Sequence, residues 1–110
     1  MKPWHVTLAE DAQADIKDIH DYIALELLSP QAAASQAGKI FDAIDDLAVF
    51  PKKYPLCRIS GLEGMELRAT SAGRYRIFYK VFEECGEVLV AGVLYEGCDA
   101  AKIFSRNSFT

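Results

Sequence analysis

Nothing in these 110 residues approaches the ~20 consecutive apolar positions that a membrane-spanning helix needs. The N-terminus, Met1-Lys2-Pro3-Trp4-His5, leads into polar helix-like sequence rather than the apolar core of an export signal, so the cytoplasm is the expected location. Cysteine is scarce and odd in number: Cys57, Cys85 and Cys98 form no C-x-x-C pair, which argues for reduced thiols and against a zinc site. The two histidines, His5 and His20, both lie in the acidic N-terminal part, and His20 reads as a surface or hairpin-interface residue. Phosphate-cradling glycine loops, the serine-hydrolase elbow and kinase motifs are all missing. These absences leave no metal and no cofactor to expect.

What is present is a globular composition, 51% hydrophobic and 25% charged, in a chain of the length of one domain. The net charge of −4 conceals a strong asymmetry. Residues 1–51 carry −6, residues 52–80 carry +5 and residues 81–110 carry −3. A compact basic block (Lys52, Lys53, Arg58, Arg68, Arg74, Arg76, Lys80) within an acidic chain suggests a surface for an anionic partner.

The hydrophobic pattern fixes the element order. Trp4 to Leu8 is short and β-like. Thr7 and Glu10 have capping-box spacing, and Ala12, Ile16, Ile19, Ile23 and Leu27 make a helical stripe that predicts a first helix to about Leu28. Ser29-Pro30 is a stop-and-restart signal, with serine as cap and proline at the first helical position. Ala33, Ala37, Ile40, Ile44 and Leu47 form the seam of a second helix closed by Pro51. Asp11, Asp15, Asp18, Asp42, Asp45 and Asp46 read as solvated helix faces, with Asp11 and Asp15 near a helix start.

Residues 65–72 alternate as a strand, Leu67 and Ala69 on one face, Glu66, Arg68 and Thr70 on the other. After Gly73, Tyr75, Ile77, Tyr79 and Val81 point one way and Arg74, Arg76, Phe78, Lys80 and Phe82 the other. Glu84-Cys85-Gly86 predicts a hairpin turn before residues 87–95, a strand apolar on both faces and therefore central. Asp99 to Phe104 suits a short terminal helix. The expected fold is α+β: an N-terminal strand and an antiparallel helical hairpin on one face of a mainly antiparallel four-stranded sheet, in the order βααβββ, as a single domain over residues 1–110. The helices should cover one face, leaving the basic side chains on a partly open one. Tyr75 and Tyr79 are expected in the core. Phe78 and Phe82, beside cations on the open face, suggest a protein partner. The cations have a plainer alternative, exposed cross-strand pairing with Glu66, Glu83 or Glu87, worth only ~0.2–1 kcal/mol each.

The ordered motifs Ile19-His20-Asp21-Tyr22-Ile23, Leu47-Ala48-Val49-Phe50-Pro51, "LRATSAGRYRIFYKV" and "VLYEGCDA" resemble the RelE/ParE superfamily of toxins from type II toxin–antitoxin systems. That resemblance spans nearly the whole chain. It implies a cognate antitoxin whose C-terminal segment wraps the toxin, giving a toxin–antitoxin hetero-oligomer. It also implies one of two activities: mRNA cleavage in the ribosome, as in RelE-like members, or inhibition of DNA gyrase, as in ParE-like members.

Cleavage of RNA through its 2′-hydroxyl needs a base, cationic stabilisation of the phosphorane and an acid for the leaving oxygen. Arg68 and Arg76 are candidates for the cationic role, Glu66 for the base, and Tyr79 and Tyr95 for proton carriers. By that resemblance a RelE-like member would carry a basic or histidine residue just after the last strand and a tyrosine or histidine near the C-terminus, whereas here Tyr95-Glu96-Gly97-Cys98-Asp99 has no cation and the terminal aromatic is Phe104, which has no proton to give. An acidic chain is also poorly suited to a phosphate-rich ribosome. The resemblance therefore favours the ParE-like activity. The RelE-like nuclease and a non-toxic antitoxin-binding relative stand as alternatives. The surface expected to carry target or antitoxin binding comprises Arg68, Arg74, Arg76, Phe78, Lys80 and Phe82.

Overall fold

A computed structural model of the chain describes residues 3–58 and 63–100. Strand β1 (His5–Leu8) leads directly into helix α1 (Glu10–Asp21), which continues as a π-helical segment, Tyr22–Glu26. Helix α2 (Pro30–Asp46) follows, then 3₁₀ turns at Pro51–Lys53 and Glu63–Met65, and strands β2 (Arg68–Ala72), β3 (Tyr75–Phe82) and β4 (Glu87–Tyr95). The sheet order is β1-β4-β3-β2. β1 runs parallel to β4, and the other pairs are antiparallel. The expected α+β architecture is the one found, with the doubly apolar β4 in the interior of the sheet.

The helix boundaries follow local chemistry, with two departures from expectation. Ser29 caps α2 by accepting the Ala32 N–H at 3.4 Å, with Pro30 at the first position, as the sequence indicates. The capping box at Thr7 does not form. β1 pairs with β4 through Leu8, so Thr7 is held in the strand, and Ala9 starts α1 without a side-chain cap. The second departure is at the far end of α1. The Leu27 N–H reaches back to the Tyr22 carbonyl at 3.2 Å, a five-residue step that widens the turn. The widening rotates Leu27 out of the stripe, and its side chain is exposed although Ile23 remains buried. The terminal helix expected from Asp99 to Phe104 lies almost entirely outside the described residues.

The main core lies between the helices and the sheet: Ala12 and Ile16 of α1, Ile40 and Ile44 of α2, Leu47, and the sheet residues Ala72, Ile77, Tyr79, Val88, Val90 and Val93. Each fully buried valine, leucine or isoleucine there contributes ~1.5–3 kcal/mol. A second, smaller cluster occupies the opposite face of the sheet, where Leu67, Phe78, Ala91 and Leu94 pack with Cys57, Met65, Ala69 and Ala100. A β-bulge makes this two-sided packing possible. The β3–β4 register shifts between Phe78 and Tyr79, which face Gly92 and Val90, and the extra residue Ala91 turns to the outer cluster.

The bulge region is held to the helices by a bond that sequence reasoning missed. β1 pairs with β4 only as far as Val90. Beyond that point the Val93 N–H donates to the Asp15 carboxylate of α1 at 2.9 Å. Asp15 is therefore a helix-to-sheet anchor rather than part of a solvated face.

Candidate functional site

The β2–β3 hairpin decides where the arginines point. Its two-residue loop is Gly73-Arg74, with Ala72 opposite Tyr75 and a positive φ of 63° at Gly73 alone, the pattern of a type II′ turn. Cross-strand partners share a face, so Arg68, opposite Tyr79, lies on the helix side of the sheet. Arg76, opposite Ser71, lies on the outer side. The expected set is thus divided: Arg76 and Lys80 share the outer face, Arg68 is on the other, and Arg74 sits in the turn.

Arg68 is occupied by the backbone. Its guanidinium donates to the Tyr54 carbonyl at 2.5 Å and the Lys52 carbonyl at 3.4 Å. Tyr79 acts on the same loop: fully buried, its hydroxyl donates to the Pro51 carbonyl at 2.5 Å. Burial pushes the Tyr79 phenol up to about 12, against the opposing pull of the Arg68 charge. A phenol so placed neither meets solvent nor releases its proton near neutrality. Together the two side chains clamp three carbonyls of the 51–54 segment, which presents Lys52 and Lys53. Lys52 pairs with Glu83, whose carboxyl it holds below the usual range, and the Lys53 ammonium lies 5.1 Å from the Tyr54 ring centroid.

On the outer face the cations lie over aromatic rings. The Arg76 guanidinium is 4.8 Å from the Phe78 centroid, and the Lys80 ammonium is 5.4 Å from that of Phe82. Such contacts contribute ~0.5–1 kcal/mol at exposed sites and hold the charges in place. Arg76 also adjoins the Cys57 thiol, lowering a pKa that burial raises more strongly. Phe78 is only 1% exposed, as part of the outer cluster, so the expectation of an exposed ring is corrected. Phe82 is half-buried and remains accessible beside Lys80. Of the acids proposed as cross-strand partners, Glu83 pairs with Lys52 instead.

At the other end of the sheet, Tyr95 packs edge-on against Tyr75, with ring centroids 5.7 Å apart, and its hydroxyl meets Arg74 Nη1 at 3.4 Å. These residues form one wall of a groove of about 790 Å³ whose other wall is the tip of the helical hairpin: Asp18, Ile19, Tyr22, Ile23 and Leu27. Sequence reasoning overlooked this groove. Its signal is the run Tyr22-Ile23-Ala24-Leu25-Glu26-Leu27-Leu28, which has more large apolar residues than one helical stripe can bury. Among the described residues, no cluster of three or more His, Cys, Asp or Glu side chains is placed to hold a metal ion. Nor is any described helix long and apolar enough to cross a membrane.

The family model for ParE toxins of type II toxin–antitoxin parDE systems matches residues 6–97, and the chain belongs to that family. No curated protein sequence matches significantly. Among solved structures, the chromosomal ParDE toxin–antitoxin system of P. aeruginosa contains a chain 18% identical, with a TM-score of 0.66, covering 84% of this chain and 95% of that one. A RelBE toxin–antitoxin complex of Mycobacterium tuberculosis gives 23% identity and a TM-score of 0.58, covering 84% and 98%. An arginine-substituted E. coli RelE toxin in the free state gives 15% and 0.59, covering 94% and 92%. At these identities the structural likeness establishes the shared fold, which hosts more than one activity.

Proposed function

We propose that this ParE-family toxin arrests growth by inhibiting DNA gyrase and is neutralised by a cognate antitoxin that docks on the outer sheet face, at Arg76, Lys80 and Phe82. The observation that carries the choice of activity is the scattering of the nuclease candidates over two faces of the sheet. Arg76 lies outside, whereas Arg68, Tyr79 and Tyr95 lie on the helix side. General acid–base chemistry requires its groups within hydrogen-bond reach of one substrate. Tyr79 and Arg68 are committed to carbonyls of the 51–54 segment, so neither meets that condition.

Antitoxin docking is supported by fixed cations beside a partly exposed phenylalanine, a combination suited to an acidic, apolar segment. The ParDE and RelBE chains that share the fold come from toxin–antitoxin systems. The direct test is purified toxin added to purified gyrase and, separately, to mRNA-programmed ribosomes. Loss of supercoiling with intact mRNA is expected. Cut mRNA with unimpaired supercoiling would establish the ribosome as the target instead.

A further inference from the structure

We infer that the tip of the helical hairpin is the surface that engages the target, by docking an apolar segment of gyrase flanked by lysine or arginine. This rests on the gyrase reading above and assigns it a location.

Three independent features meet at the tip. Large apolar side chains are presented outward together: Tyr22, Leu25, Leu27 and Leu28 are 54, 69, 57 and 82% exposed, and the first and third also line the groove facing Tyr95. Large exposed apolar groups clustered within one short segment mark binding surfaces in soluble proteins.

The backbone there is strained to hold them. Leu28 has a φ of 52°, the left-handed region where glycine is the usual residue, and the Ser29 N–H closes the end by donating to the Ile23 carbonyl at 3.1 Å. The preceding π-helical segment widens the turn, a feature that recurs at functional sites. A glycine would meet the backbone requirement with less strain, and leucine supplies only an exposed side chain in return.

The charge around the tip is acidic. Asp18, Asp21 and Glu26 border the apolar residues, within an N-terminal half carrying −6. Lys17 offsets part of this by pairing with Asp21 at 2.8 Å, and Arg74 lies across the groove. An enzyme that grips DNA presents clustered lysine and arginine to phosphates. An acidic rim around apolar anchors complements such a surface, the rim steering encounter and the anchors holding the complex. The basic outer face, bearing Arg76 and Lys80, has the opposite sign and suits a different partner.

The test uses purified full-length toxin and gyrase in a supercoiling assay, with a Leu25→Gln, Leu28→Gly double variant. Because Leu28→Gly relieves left-handed strain, the variant should melt at or near the wild-type temperature, while its inhibition of gyrase falls at least tenfold and its antitoxin affinity is unchanged. Glu26→Lys should weaken inhibition further at low salt than at high salt. Hydrogen exchange on the wild-type toxin bound to gyrase, which depends on no variant, should show protection over residues 20–28. Wild-type inhibition by the double variant, or protection confined to residues 68–82, overturns the inference while leaving gyrase as the target. Failure of the wild-type toxin to inhibit gyrase at all overturns both.

Discussion

Tyr79 and Arg68 illustrate how the same residue types serve chemistry in one setting and architecture in another. An exposed tyrosine beside an arginine is equipped for proton transfer. Here the phenol is fully buried and donates to the Pro51 carbonyl, and Nη1 of the guanidinium donates to the carbonyls of Lys52 and Tyr54. Replacing Tyr79 by phenylalanine should cost ~1–3 kcal/mol, because the Pro51 carbonyl loses a buried donor, and should leave growth arrest intact. Thermal melting and induction of the variant in cells check the two halves. A nuclease using this phenol would lose most of its activity. The raised phenol pKa also has a sign. The folded state keeps its proton up to about 12 while the unfolded chain releases it near ~10, so this contribution is complete below ~10 and disappears as pH rises through the folded value. Between pH 9 and 12 the wild type should therefore lose stability more steeply than Tyr79→Phe, as followed by denaturant titration.

At the level of the elements, the helical hairpin and sheet are joined where β1 stops pairing. Val93 N–H has no strand partner on that side, and Asp15 supplies the acceptor across 78 residues of chain. Asp15→Ala should destabilise by ~1–3 kcal/mol, which for a domain of this size lowers the melting temperature by several degrees, and Asp15→Asn, retaining an acceptor oxygen, by less. The sequence made much of this layer legible. The alternation of β3, the centrality of β4, the Ser29-Pro30 restart and the α2 seam all follow from periodicity and local chemistry. Less legible was the face to which Arg68 belongs, because the 67–72 segment buries side chains on both sides, Leu67 and Ala69 in the outer cluster and Thr70 and Ala72 toward the helices. Gly73-Arg74 held the signal. Taken as a two-residue turn rather than a lead into the strand, it pairs Ala72 with Tyr75 and places Arg68 beside Tyr79. The bulge, the π-helical segment and the bond from the Val93 N–H to Asp15 arise from tertiary competition for backbone partners, which no local pattern encodes. Thr7 shows the same competition in reverse, where strand pairing prevailed over a helix cap.

For the molecule as a whole, the separation of charge becomes a separation of surfaces. Cations held over aromatic rings lie on the outer sheet face, while an acidic, apolar tip lies at the far end of the helices. Arg76→Glu should weaken antitoxin binding at least tenfold, with little change in melting temperature, because the side chain is only part-buried and its ring contact contributes under ~1 kcal/mol. Titration calorimetry against the cognate antitoxin measures the effect, and unchanged affinity would remove the outer face from the interface.

Whether this ParE-family scaffold carries gyrase inhibition rather than RNA cleavage is tested in cells. Pulse-labelling of DNA and protein synthesis, begun at the moment the toxin is induced without antitoxin, separates the two targets in time. DNA synthesis is predicted to fail first, with protein synthesis following later. Protein synthesis failing first would contradict the account, and neither failing would identify a non-toxic member whose basic face exists for the antitoxin alone.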